Sequence, residues 1–225
     1  MAPKEQNINQ WDFKDIAMSV SYIVAIMFLY MGLSQMLNLD QKFVWYSLFS
    51  QAFFYMVLTG IVFYYVMKSQ TSLRKFFGLY NPLYLFWVGV FVFGLMITST
   101  SIVDIISTKL LGVSSSEVYK NVEISKLKEV SLIGVFFAPF AEEIFFRGFM
   151  QPVFVRKFGF WMGIILVGAL FSFLHLLYVD NISALIGVIL VGFILSFTKE
   201  KTQSLIPCML AHFLNNLAAV YYLYF

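Results

Sequence analysis

The sequence predicts an all-α fold, a polytopic bundle of about seven transmembrane helices, with eight as the alternative count. Three observations predict it. Only 12% of the residues are charged, about half the share found in soluble domains, so most of the surface does not face water. Six stretches without a charged residue run for 18 to 28 residues, five between charges and one after Lys201, and a helix needs about 20 apolar residues to cross a bilayer. Aromatic residues make up 20% of the chain, with 27 Phe and 13 Tyr, which suits lipid-facing and interfacial positions.

The spans follow in order. The first, 17–38, comes after a polar start, MAPKEQNINQWDFKD. Its apolar run is too long for a signal-peptide core, so it reads as a retained span. The second, 43–67, lies between Lys42 and Lys68, and the third, 81–103, between Lys75 and Asp104. The polar stretch 104–129 carries Lys109, Glu117, Lys120, Glu123, Lys126, Lys128 and Glu129. It suits an interfacial amphipathic helix or a solvated loop. The fourth span, 131–155, contains Glu142, Glu143 and Arg147, charges that a span keeps where they are paired or functional. Spans at 159–178, 182–198 and 204–224 complete the set. Ser183 and Gly187, and Gly192 and Ser196, are four residues apart, a spacing that lets helices approach closely in lipid. The chain divides into 1–130, N-terminal spans with an interfacial segment, and 131–225, a catalytic core, within one integral membrane domain.

Basic residues cluster in alternate connections: Lys68, Arg74 and Lys75, then Arg156 and Lys157, then Lys199 and Lys201. With seven spans this pattern puts the N-terminus inside and the C-terminus outside. The 104–129 segment then falls outside despite its four lysines, and an eighth span would relieve that conflict. The net charge of +3 is spread among loops and gives no support for nucleic-acid binding. The single cysteine, Cys208, cannot form an internal disulfide and reads as an inert buried thiol.

The polar groups expected at membrane depth are Glu142, Glu143, Arg147, His175, His212, Asn215 and Asn216. Glu143 and Arg147 are four apart and share a helix face, so they can pair. Glu142 points about 100° away, free of that pair. Pro139 is expected to bend the helix just before them and open a polar cavity. His212 and Asn216 also share a face, and Asn215 points elsewhere. One carboxylate, two imidazoles and an amide from three helices can activate water and stabilise an oxyanion. Glu142 would act as general base, His175 would hold the water, and His212 with Asn216 would donate to the oxyanion. Ser172 is a weak nucleophile candidate. Glu142, His175 and His212 are also a plausible zinc set by residue type, although HExxH is missing. A metal-free, cofactor-free site is the preferred reading, with zinc as the alternative.

Three segments carry a resemblance. Ala138-Pro139-Phe140-Ala141-Glu142-Glu143-Ile144-Phe145-Phe146-Arg147-Gly148 fits EExxxR followed by Gly. Phe171 to His175 fits FxxxH, and His212 to Asn216 fits HxxxN. In this order, each within a span, they resemble the CAAX-protease and bacteriocin-processing family, which includes type II CAAX prenyl endopeptidases and abortive-infection-like proteins. The resemblance covers about 131–225. It implies a glutamate-dependent intramembrane endopeptidase with Glu142, His175, His212 and Asn216 catalytic and Glu143 and Arg147 supporting. The expected substrate is a lipidated or apolar peptide: a CAAX-type tail, a bacteriocin leader or a peptide pheromone. The expected location is a prokaryotic plasma membrane. The competing reading is a catalytically silent immunity or scaffold protein that keeps the motifs. A proton-coupled transporter is disfavoured by the short chain and the lack of a repeat.

Overall fold

The computed structural model describes residues 11–37, 44–114, 134–175 and 181–224. The described elements are α1 (Phe13–Met36), α2 (Val44–Lys68), α3 (Leu73–Phe77) and α4 (Pro82–Leu111). Then come α5 (Ala138–Glu143), a π-helical segment π1 (Ile144–Met150) and α6 (Gln151–Phe158). The last are α7 (Phe160–His175), α8 (Ile182–Thr202) and α9 (Ile206–Tyr224). Every described element is helical, so the all-α expectation holds. The helices α1, α2, α4 and α8 are long and apolar enough to cross a membrane, and α7 and α9 are shorter apolar helices. Together with the continuous α5–π1–α6 rod, which carries the charged residues, these six apolar helices correspond to the seven expected spans. Most of the 104–129 stretch, including Glu117, Lys120, Glu123, Lys126, Lys128 and Glu129, lies outside the described residues. So does the question of an eighth span.

Local chemistry sets the helix ends. Asp12 caps α1 through the N–H groups of Lys14 and Asp15, and the Asp15 carboxylate answers the Asp12 N–H, a reciprocal box that satisfies orphan donors. Asn81 caps α4, with Pro82 opening the first turn. The helix runs past Asp104, beyond the expected end at 103. It can do so because the Ser114 and Ser183 hydroxyls donate to the Asp104 carboxylate. Gly112, at φ 68°, then stops it, in the left-handed conformation that glycine adopts without steric cost.

Pro139 follows a turn at Phe137 that interrupts the helix. It sits in the first turn of α5, where a missing N–H is one of the orphans anyway. A second irregularity follows Glu143, and Pro152 in the first turn of α6 accounts for it. A proline inside a helical run cannot donate to the carbonyl four residues back and crowds it. The Gln151 N–H bonds the Phe146 carbonyl, five residues back, and the rod widens into a π turn. Trp11 Nε1 donates to the Phe149 carbonyl on that turn at 2.7 Å.

The core joins early and late parts of the chain: Trp11, Val62, Tyr65, Phe76, Phe149, Leu205 and Met209 belong to one buried apolar cluster. The basic connections gather at one end of the bundle. Arg156 donates to the Trp11 carbonyl. Leu205 N and Ser204 Oγ bond the Phe77 carbonyl, and the Tyr80 hydroxyl bonds the Thr202 carbonyl. At the opposite end Asn181, which caps α8, donates to the Ser114 carbonyl. Helices α7 and α8 touch backbone to backbone: a Cβ on Gly192 would stand 2.8 Å from the Gly168 carbonyl oxygen. The expected close approach at Gly192 is therefore real, and its partner is Gly168.

Candidate active site

The site forms where α5–π1, α7, α8 and α9 meet. Adjacent positions on α5 aim their carboxylates differently. Glu143 is fully buried, and Arg147, also fully buried, donates from Nη1 to its Oε1 at 3.0 Å. The pair survives the change from α to π geometry between them. Arg147 is held further by the Gly192 carbonyl, 3.1 Å from Nη2. Its guanidinium carbon lies 4.3 Å from the Phe171 ring centroid, a cation–π contact. The glycine that lets α7 and α8 close thus also presents a carbonyl to the buried arginine.

Glu142 turns away from this pair, as the 100° step requires. Its side chain keeps 15% of its exposure. Oε2 lies 3.8 Å from His212 Nε2 and 4.0 Å from His175 Nε2. Both imidazoles are oriented from behind. His175 Nδ1 is 2.8 Å from the Phe171 carbonyl, which only accepts, so Nδ1 carries the proton. His212 Nδ1 is 2.9 Å from Glu143 Oε1, an acceptor in its pair with Arg147, so the same holds there. Each ring therefore directs Nε2 at Glu142. Phe171 packs against both, with ring centroids 4.4 Å from His175 and 5.7 Å from His212.

Asn216 lies one turn beyond His212 on α9. Its amide donates to the Gly134 carbonyl at 3.1 Å, which leaves a second N–H. Both residues of the third motif therefore face the segment that carries the two glutamates. Ser172 is committed elsewhere: its hydroxyl donates to the Gly168 and Val188 carbonyls at 2.8 and 3.2 Å, which argues against a nucleophilic role. Cys208 is fully buried and lies against the Leu195 carbonyl. Among the described residues, His, Cys, Asp and Glu side chains form no group of three compact enough to hold a metal ion as they stand.

Two contributions were missed in the sequence. His212 is bound to the supporting carboxylate as well as facing the free one, and only the mutual register of α5 and α9 reveals that. Gln151, fully buried, donates to the Ser196 carbonyl at 2.7 Å and to Glu200 Oε1 at 3.0 Å. It stands four residues after Arg147 and eight after Glu143, a periodicity visible in the sequence but carried at its far end by an uncharged residue.

The family described as Type II CAAX prenyl endopeptidase Rce1-like matches residues 127–218. The likeness read from the three motifs holds over that segment, which contains Glu142, Glu143, Arg147, His175, His212 and Asn216. No curated protein and no solved structure matches the chain. With its long apolar helices, the chain is an integral membrane protein.

Proposed function

Because residues 127–218 carry the Rce1-like pattern, we propose that the chain is an intramembrane endopeptidase in which Glu142 activates water against a peptide carbonyl. The observation that carries this reading is the unequal treatment of two neighbouring carboxylates. Glu143 is buried and neutralised by Arg147, while Glu142 stays partly open between two Nε2 atoms. A water seated there donates one hydrogen to Glu142 Oε2 and the other to His175 Nε2. Its lone pair is then free to attack. Glu142 takes the proton as the C–O bond forms and returns it to the leaving amine as the C–N bond breaks. Water and peptide are consumed one for one, yielding a carboxyl and an amine terminus.

The oxyanion falls to His212 and Asn216. With Nδ1–H held by Glu143, His212 donates from Nε2 as the imidazolium. The second N–H of Asn216 is the other donor. Such donors act strongly where water is excluded. The substrate is a lipidated or strongly apolar peptide, such as a CAAX-type tail, a bacteriocin leader or a pheromone precursor, in a prokaryotic plasma membrane. The mechanism needs no metal, since Glu142 itself takes the proton from water. The decisive experiment is cleavage of such a peptide by the purified protein. Glu142→Gln should abolish turnover and leave thermal unfolding unchanged, whereas full activity of that variant sinks the mechanism. A folded wild type that cleaves nothing, yet binds a bacteriocin or partner through this face, supports the silent immunity or scaffold alternative.

A further inference from the structure

Buried polar atoms without a protein partner mark places where a small ligand belongs, because leaving such an atom unsatisfied is costly. Among the described residues four side-chain atoms are of this kind: Glu143 Oε2, Arg147 Nε, Gln151 Oε1 and Ser196 Oγ. They are not scattered. Glu143, Arg147 and Gln151 recur every fourth residue along α5–π1–α6, and all three are fully buried, as is Ser196 on the facing helix. Arg147 reaches the Gly192 carbonyl and Gln151 the Ser196 carbonyl, one turn apart on α8. Gln151 also reaches Glu200, which is only partly buried at the basic end of α8. The series therefore starts beside the catalytic carboxylate and ends near the aqueous face.

The chemistry of the four atoms selects their ligand. Glu143 Oε2 and Gln151 Oε1 accept, Arg147 Nε donates, and Ser196 Oγ does both. The guanidinium in the row repels a cation, and the two oxygens repel an anion. A neutral molecule that donates and accepts, and fits between packed helices, remains. That is water, which commonly satisfies such groups in folded interiors. We propose that Glu143, Arg147, Gln151 and Ser196 hold a file of buried waters connecting the site to the Glu200 end of the bundle, and that this file supplies the water consumed in each turnover. The supply role rests on the peptidase reading. An apolar substrate lying against Glu142 would shut out water on its own side, so hydrolysis needs a second route. The existence of the file rests on the geometry alone.

The test separates the two. Wild-type protein in lipid nanodiscs is given a microsecond hydroxyl-radical pulse, and oxidation of Cys208 is read by mass spectrometry. Cys208 is fully buried beside the Leu195 carbonyl, next to Ser196 in sequence, so it reports radicals made from internal water. Oxidation is expected in the wild type and in Ser196→Thr, which keeps the hydroxyl. It should fall about tenfold in Ser196→Val, which has the same bulk without the hydroxyl, and in Gln151→Leu. An unlabelled wild type, or equal labelling in all four, overturns the file. With a cleaved peptide in hand, Ser196→Val should lower kcat about tenfold at unchanged KM, and Ser196→Thr should retain it. Labelling that follows this pattern while kcat does not change overturns the supply role. A wild type that labels but cleaves nothing fails the peptidase reading and the supply role together, and leaves the file standing.

Discussion

Arg147→Ala is the sharpest test of how the site is held. Arg147 is fully buried, bonds Glu143 Oε1 at 3.0 Å and the Gly192 carbonyl at 3.1 Å, and covers the Phe171 ring. Its removal leaves the fully buried Glu143 facing only the His212 imidazole among the described charged groups and hollows the joint between π1 and α8. Removing one member of a buried ion pair costs about 3–5 kcal/mol. In a chain of this size each kcal/mol moves the melting temperature by about 2–4 °C. The midpoint should therefore fall by roughly 6–20 °C, read by tryptophan fluorescence in a single detergent. The double variant Glu143→Leu, Arg147→Met removes both charges and should recover most of the loss, since apolar replacement of a buried pair is often neutral. It should stay inactive, because His212 Nδ1 has lost its acceptor. An Arg147→Ala protein that melts with the wild type refutes the account.

Three further outcomes are expected. Asn216→Ala should lower kcat about a hundredfold or more with little change in KM, the loss of one preorganised donor being worth roughly 2.7–4 kcal/mol, while Asn215→Ala should be much milder; the reverse order would put the register of α9 in error. Activity should survive strong chelation, and elemental analysis should find no stoichiometric zinc; one tightly held zinc per chain, with loss and rescue of activity, would replace the glutamate base by a metal-bound hydroxide. Gly192→Ala should destabilise by about 1–3 kcal/mol, because its Cβ would meet the Gly168 carbonyl oxygen at 2.8 Å. Gly187→Ala is the control and should melt near the wild type, its Cβ meeting Thr100 Cγ2 at an ordinary 3.5 Å.

The spans were legible because a bilayer imposes a length, and the uncharged gaps measured it directly. Their ends were less so. A charge marks the expected boundary at Asp104, but hydroxyls from Ser114 and Ser183 answer that carboxylate, and the helix continues to Leu111. The Glu143–Arg147 pair was readable because it lies within one helix at a fixed spacing. The π turn was not legible, because Pro152 lies where the helix is already under way. Contacts between helices, such as His212 with Glu143 and Gly192 with Gly168, depend on how far one helix slides against another. No spacing within a single segment encodes that.

The placement of His212 joins these threads. Its ring spans the two carboxylates, with Nδ1 2.9 Å from Glu143 and Nε2 3.8 Å from Glu142. Glu143, in turn, is fixed by Arg147, and Arg147 by the Gly192 carbonyl on α8. The ring next to Glu142 is thus oriented by a chain of buried contacts reaching from α9 through π1 to α8. Neutralising Glu143 is then more than the removal of an unwanted charge. The arginine that makes a second buried carboxylate tolerable also fixes the acceptor that orients the His212 ring. On the proposed mechanism the adjacent glutamates then divide the work: Glu142 stays partly exposed to act on water, and Glu143 is buried to aim the histidine.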